Sequence, residues 1–167
     1  MSAKEHHHLA GRNPVRLAIL TISDTRTTET DHSGAWLKTA FSEAGHLVLH
    51  AQIVRDDPAA IRQTVRGWSS EVQAIITSGG TGISQRDHTF EALSGLLDKT
   101  IPGFGEIFRM LSYQEVGAAA MLSRAIAGLM GNTLLFCLPG SLNAVRLGTE
   151  KLILPEIAHM VWELNRT

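Results

Sequence analysis

The sequence predicts a single α/β domain built as a three-layer, doubly wound, mostly parallel sheet with helices on both faces. Three observations predict it. The chain has 167 residues, 44% of them hydrophobic and 19% charged, which suits one globular domain at roughly 150 residues per domain. From residue 15 onward, short β-branched apolar runs alternate with stretches of helical period, and such alternation means a parallel sheet covered on both sides. Small, hydroxyl-bearing and acidic residues gather where the predicted strands end, and the carboxyl ends of the strands are where doubly wound sheets bind ligands.

Residues 15–22 are short and nearly continuously apolar, as a strand buried on both faces should be. After a polar stretch, Leu37, Ala40, Phe41 and Ala44 recur at helical spacing, with Ser33 as the expected N-cap and Gly45 as the stop. Leu47–Val54 reads as a second strand. Asp57-Pro58 then opens a helix as a cap followed by proline in the first turn, with Ile61, Val65 and Trp68 on its apolar face. Residues 72–77 form a third strand, and 89–97 read as helical. Ser112 and Glu115 have the spacing of a capping box ahead of a helix over 116–122. Thr133–Leu138 is a strand that stops at Pro139-Gly140. Two C-terminal helices, 142–154 and 156–164, are separated by Pro155. Trp36, Trp68 and Trp162 fall on helix faces and read as core.

Composition removes several function classes. Lys and Arg number 15 against 16 Asp and Glu, a net charge of −1, which argues against a nucleic-acid binder. No apolar run approaches the ~20 residues that span a bilayer. The polar residues 1–13 hold no apolar leader and read as a flexible tail ahead of a domain over 14–167. His6, His7 and His8 in that tail are a tag remnant or a natural extension rather than a metal site. Cys137, the single cysteine, points to a reducing, cytoplasmic setting and reads as a packed core thiol rather than a nucleophile. His46 and His50 lie ~13 Å apart on a strand at about 3.3 Å per residue, so they make no zinc site.

Four loops converge on one edge of the predicted sheet. They carry Ser23-Asp24, Asp56-Asp57, the glycines of 79–82 with Asp87, and Pro139-Gly140-Ser141. Gly79, Gly80, Thr81 and Gly82 either let backbone N–H groups approach an anion closely or make an ordinary tight turn. The loop is no Walker A motif, and the third glycine of a dinucleotide fingerprint would fall on Gln85. Pro139-Gly140-Ser141 is a second anion-site candidate at a helix start, or simply a cap. Asp56 and Asp87 can each cap or precede a helix. Beside two anion-binding loops they suggest Mg²⁺ shared between protein carboxylates and substrate phosphates.

Taken together and in order, five motifs resemble the molybdopterin-binding (MoaB/MogA-like) family over residues 14–163. They are Ser23-Asp24-Thr25-Arg26 with Asp31-His32-Ser33-Gly34, Thr77 to Gly82 with Arg86-Asp87-x-Thr89-x-Glu91, Ile101-Pro102-Gly103-Phe104-Gly105-Glu106, Leu122-Ser123-Arg124-Ala125, and Leu138-Pro139-Gly140-Ser141. Residues 103–112 and 123–128 resemble its MoaB branch. The resemblance implies a molybdopterin adenylyltransferase of molybdenum cofactor biosynthesis, in which the terminal phosphate of molybdopterin attacks the α-phosphate of Mg-ATP and pyrophosphate leaves. It implies Asp56 and Asp87 as the catalytic aspartates. A phosphate nucleophile is already ionised at pH 7, so the two are assigned to Mg²⁺ binding or pterin orientation rather than proton abstraction. The pocket for molybdopterin and ATP would be lined by Ser23, Asp24, Ser78, Gly79, Gly80, Thr81 and Gly82. Arg86, Ser123, Arg124, Pro139, Gly140 and Ser141 would complete it. The family often has proline where Arg55 and Phe90 stand here. A non-catalytic molybdopterin carrier and a scaffold domain are the alternatives, and the Arg86-Asp87 pair favours the enzyme. The resemblance also implies a homotrimer or homohexamer, other cofactor-biosynthesis proteins as partners, and neither nucleic acid nor membrane. The apolar segment 101–121, with Phe108 in it, is the expected subunit contact.

Overall fold

A computed structural model describes residues 13–166, so the predicted tail with its three histidines lies outside the described residues except for Asn13. The chain runs β1 (Arg16–Ile22), α1 (His32–Glu43), β2 (Leu47–Val54), α2 (Pro58–Trp68), β3 (Ala74–Ser78) and α3 (Thr89–Ser94). It continues through β4 (Lys99–Thr100), α4 (Pro102–Val116), a 3₁₀ helix (Gly117–Leu122), β5 (Ile126–Met130) and β6 (Thr133–Leu138). Helix α5 (Leu142–Gly148), a π-helical turn (Thr149–Ile153) and α6 (Leu154–Leu164) complete it.

The six strands form one sheet in the order β2-β1-β3-β6-β5-β4. β2, β1, β3 and β6 are parallel, and β5 runs antiparallel to both β6 and β4. Alternate residues of the central strands feed two cores. Leu17, Ile19, Ile76 and Phe136 pack with Leu37, Phe41, Phe108 and Ile157 on one face. Ala18, Leu20, Ile75 and Leu135 pack with Ile61, Val65 and Leu93 on the other. This is the three-layer arrangement that the strand–helix alternation requires. Strand order reverses between β1 and β3, so the loops after those strands flank the crevice where ligands bind such sheets. No helix of the described residues is long and apolar enough to cross a membrane.

Several local expectations are corrected. Helix α1 is capped by Asp31, whose carboxylate accepts from Gly34 N–H at 2.9 Å, and not by Ser33. The capping box at Ser112 and Glu115 does not exist, because both residues lie inside α4. That helix begins at Pro102 and ends at Gly117, where φ is +66°. The third strand begins at Ala74 rather than at residue 72, since Val72 N–H turns back to Trp68 O at 3.2 Å. Helix α3 stops at Ser94, short of residue 97. Pro155 does not separate two helices: the π turn widens the backbone before it and the proline sits in the first turn of α6. The antiparallel hairpin β5–β6 was not foreseen. Its turn holds Gly131 at φ +59°, and Gly-Asn between two apolar runs was the available signal.

The apolar segment 101–121 divides. Phe104 and Phe108 belong to the core, with ring centroids 6.3 Å apart. Phe108 is fully buried, so it is not the subunit contact that the sequence suggested. Of its large apolar side chains, Ile107, Met110, Tyr113, Val116 and Met121 are exposed. Phe108→Ala should therefore cost about 3–5 kcal/mol and lower Tm by roughly 10 °C in thermal unfolding. Phe108→Glu should fail to fold rather than yield a smaller assembly.

Candidate functional site

The crevice is shaped first by the loop after β1. Ser23 Oγ accepts from Thr25 N–H at 3.2 Å and from Arg26 N–H at 3.0 Å, closing a tight turn. Thr21 Oγ1 donates to Asp31 Oδ2 at 2.6 Å, which holds the far end of the loop against the strand it left. A Cβ on Gly34 would collide with that Asp31 carboxylate, so this position of the helix start tolerates only glycine. Ser33 Oγ donates to Gly140 O at 3.0 Å and ties α1 to the Pro139-Gly140-Ser141 loop. Ser141 itself caps α5, accepting from Ala144 N–H at 3.3 Å.

The loop after β3 is held more tightly. Gly79 N–H donates to Leu138 O at 3.0 Å, and Thr89 N–H donates to Gly80 O at 3.1 Å. Gly79 and Gly80 have φ +101° and +66°, a region that suits glycine. A Cβ on Gly80 would strike Thr89 Oγ1 and come within 2.6 Å of Asp56 Oδ2. The protein's own atoms therefore already fill the space beside Gly80, which sequence alone would have left to a ligand. Among the described residues nothing accepts from the amides of Gly80, Thr81 or Gly82, and three successive free N–H groups make an anion-binding concavity.

Carboxylates stand beside these amides. Asp56 Oδ1 accepts from His88 N–H at 3.1 Å, and Asp56 N–H donates to Asp24 Oδ1 at 3.2 Å. Burial holds the Asp56 carboxyl above the usual range. The His88 N–H and charge oppose that rise, and the charges of Asp87 and Asp24 add to it. Asp87 Oδ2 accepts from Ser84 N–H at 2.9 Å and would lie 2.8 Å from a Cβ on Gly82. No three His, Cys, Asp or Glu side chains among the described residues converge closely enough to hold a metal unaided. Two carboxylates are what Mg²⁺ takes when substrate phosphates and water supply the rest of its shell. The donor set fits that ion.

Two cavities open on the crevice. One, of about 400 Å³, is lined by Ser23, Arg26, His32, Ser33, Ser78 and Ser141 among others. The Ser78 hydroxyl, on that lining, is buried with no partner among the described residues, as are those of Thr77, Thr89 and Thr149 elsewhere. The second, of about 390 Å³, lies along Ser84, Asp87, His88, Glu91 and Arg124.

The sequence-predicted residues do not all meet. Ser23, Asp24, Asp56, Asp87, Ser78 to Gly82 and Gly140-Ser141 share the edge. Arg86 is exposed, and its backbone N–H donates to Ser84 Oγ at 3.2 Å. Ser123 Oγ is turned back on Ala125 N–H at 3.4 Å. Arg124 has its Nε and Nη2 on loop carbonyls and its Nη1 on Glu91. Sequence reasoning quoted Asp31, Ser33 and Thr89 in motifs without giving them the roles seen here, and it passed over His88. Cys137 is buried, which pushes its thiol up to about 12, so it is no nucleophile. His46 Nδ1 accepts from Val15 N–H at 3.1 Å, and His50 pairs with Glu71 while stacking on Trp68.

Comparison with known proteins bears on this site. A model of the family described as a probable molybdopterin binding domain matches residues 18–159. Molybdenum cofactor biosynthesis protein B of Bacillus cereus is 53% identical over 99% of both chains. The protein of the same name from Bacillus subtilis is 47% identical over 99% of both. A solved structure of a molybdenum cofactor biosynthesis protein B superposes with a TM-score of 0.89 at 53% identity, covering 93% of this chain and 98% of that one. The tungsten cofactor synthesizing protein MoaB of Pyrococcus furiosus gives 0.83 at 33% identity, covering 92% and 99%.

Because burial and the charges of Asp87 and Asp24 all disfavour ionised Asp56, Asp56→Asn should leave Tm at pH 7 unchanged or raise it by up to about 3 °C. Asn Oδ1 can still accept from His88 N–H. Thermal unfolding of the two proteins side by side checks the sign; a clear loss of stability would contradict it.

Proposed function

This chain belongs to the molybdopterin-binding domain family, and from that premise we propose that it works in molybdenum cofactor biosynthesis, binding molybdopterin and adenylylating its terminal phosphate with ATP. An oxygen of the pterin phosphate forms a bond to the α-phosphorus of ATP. The bond from that phosphorus to the oxygen bridging the β-phosphate breaks, and pyrophosphate leaves with the electron pair. The attacking oxygen is already ionised, so no side chain has to remove a proton.

The protein's part is then positioning and charge compensation. The observation that most supports this reading is the run of unpaired amides at Gly80, Thr81 and Gly82 between Asp56 and Asp87. Amides alone would attract a phosphate and ionised carboxylates would repel it, and a cation between the carboxylates reconciles the two. Asp56 and Asp87 are the residues that would hold Mg²⁺, which when bound would offset phosphate charge. Arg26, which lines the cavity with His32, gives a cation for a second phosphate group. A pure carrier would need the amides but not the carboxylates.

Exposed apolar side chains support a homo-oligomer. Ile107, Met110 and Tyr113 lie on α4 with Val116 and Met121 beyond them, and Tyr113 is 63% exposed. A patch of this kind on a small domain marks an interface, and closed symmetry is the ordinary outcome.

Asp87→Asn should lower kcat for pyrophosphate release by about 100- to 1,000-fold. The fold should survive, because the amide oxygen can replace Asp87 Oδ2 on Ser84 N–H. The experiment is incubation with molybdopterin, ATP and Mg²⁺ followed by measurement of pyrophosphate. Molybdopterin binding with no pyrophosphate from the unaltered protein would leave the carrier reading in its place. By light scattering, the unaltered protein should exceed the 18.1 kDa of one chain, and Tyr113→Glu should shift it toward that mass. An unaltered protein already at one-chain mass would remove the assembly.

A further inference from the structure

We propose that Arg124 is a positioning residue, one that aims the free Gly82 amide of the 79–82 loop and the N–H that steadies Asp56 without itself touching the ligand. Its backbone N–H donates to Thr81 O at 3.3 Å. Its Nε donates to Gly82 O at 3.0 Å and to Thr81 O at 3.3 Å, while Nη2 reaches Gly82 O and also Asp87 O at 3.2 Å. Nη1 donates to Glu91, and the guanidinium carbon stands 5.2 Å over the centre of the Phe90 ring. Behind it, Arg109 Nη1 donates to Ala125 O at 3.1 Å and to Ser123 O at 3.4 Å, fixing the backbone on both sides of Arg124.

The consequence follows from the planar trans peptide, in which a carbonyl and the N–H of the next residue point in opposite directions. With Thr81 O drawn toward Arg124, the N–H of Gly82 must point away from it. With Asp87 O drawn toward Nη2, the N–H of His88 must point the other way, and it does, donating to Asp56 Oδ1 at 3.1 Å. One guanidinium therefore sets peptide planes at two places, two of them in the loop after β3 (through Thr81 O and Gly82 O) and one beneath the buried carboxylate (through Asp87 O). A planar fork anchored at Phe90 and Glu91 can hold both at once, whereas an ammonium is a point charge without that geometry. Arg124 stands in the sequence as a cation in a substrate motif, yet its donors meet backbone oxygens and the Glu91 carboxylate.

The assignment of Arg124 rests on the reading of 79–82 as a phosphate loop, but its first test does not. In the ligand-free protein, Arg124→Lys should speed hydrogen exchange at the His88 and Thr89 amides about tenfold while leaving Ile19 and Ile76 in the core unchanged. It should also weaken binding of inorganic pyrophosphate, in the presence of Mg²⁺, by about tenfold although the charge is kept. In turnover it should lower kcat as well as raise KM; a role confined to stability would reduce the amount of folded protein and leave both constants of the folded fraction alone. Glu91→Gln, which frees the anchor but leaves the fork, should give the same pattern more weakly and serves if the lysine variant does not fold. Unchanged exchange at His88 in a folded Arg124→Lys protein overturns the proposal. Faster exchange with unaltered pyrophosphate affinity keeps the clamp on Asp56 and overturns the phosphate reading of the loop.

Discussion

The backbone reversal at Gly79 and Gly80 is the constraint on which the rest of the site depends. The chain leaves a buried parallel strand and must turn at once, because a Cβ on Gly79 would run into Ile22 O and one on Gly80 into Thr89 and Asp56. Glycine avoids both collisions because it has no Cβ, and it also adopts the two consecutive positive φ values of the turn. They also leave the amides of Gly80, Thr81 and Gly82 without protein acceptors, a condition that a folded chain keeps only where water or a ligand meets them. Everything around the turn maintains it: Leu138 accepts at its start, Thr89 donates across it, and Arg124 grips its outer carbonyls.

The electrostatics of the edge follow from that geometry. Asp56 is drawn under the loop, desolvated, and placed in the field of Asp87 and Asp24. Arrangements of this kind do not serve stability. They are held by the surrounding fold and concentrate at sites where charge must meet charge. The same edge offers a cation, Arg26, and a buried hydroxyl at Ser78 that has no partner among the described residues. A multiply charged phosphate ester with its metal suits this distribution better than an apolar or singly charged ligand.

Much of this was legible in the sequence, and the reasons are physical. Strands β1, β3 and β6 are buried on both faces and therefore write themselves as continuous apolar runs. Asp57-Pro58 declared α2 because cap and proline act locally; Asp57 accepts from Ala60 N–H at 2.8 Å. Strand β5 and the two-residue β4 were missed, since short antiparallel strands packed at a sheet margin carry little period of their own. The choice of Ser33 over Asp31 as cap failed because both side chains can cap, and only the tertiary contact with Gly140 decides which does. Strand ends and motif order put Asp56, Asp87 and the glycine loop at one edge, and the structure places them side by side there. The role of Arg124 was hidden, because a cation in a motif does not reveal whether its partner is a phosphate or a carbonyl.

The central claim is that the unpaired amides of the loop after β3 receive a phosphate group. Titration of inorganic pyrophosphate with Mg²⁺ into the isotope-labelled protein, followed by the backbone amide resonances, tests it most directly. The account predicts saturable shifts that are largest at Gly80, Thr81 and Gly82, with smaller ones at Ser84 and His88. Saturable shifts centred elsewhere, or none at these three amides, would contradict it.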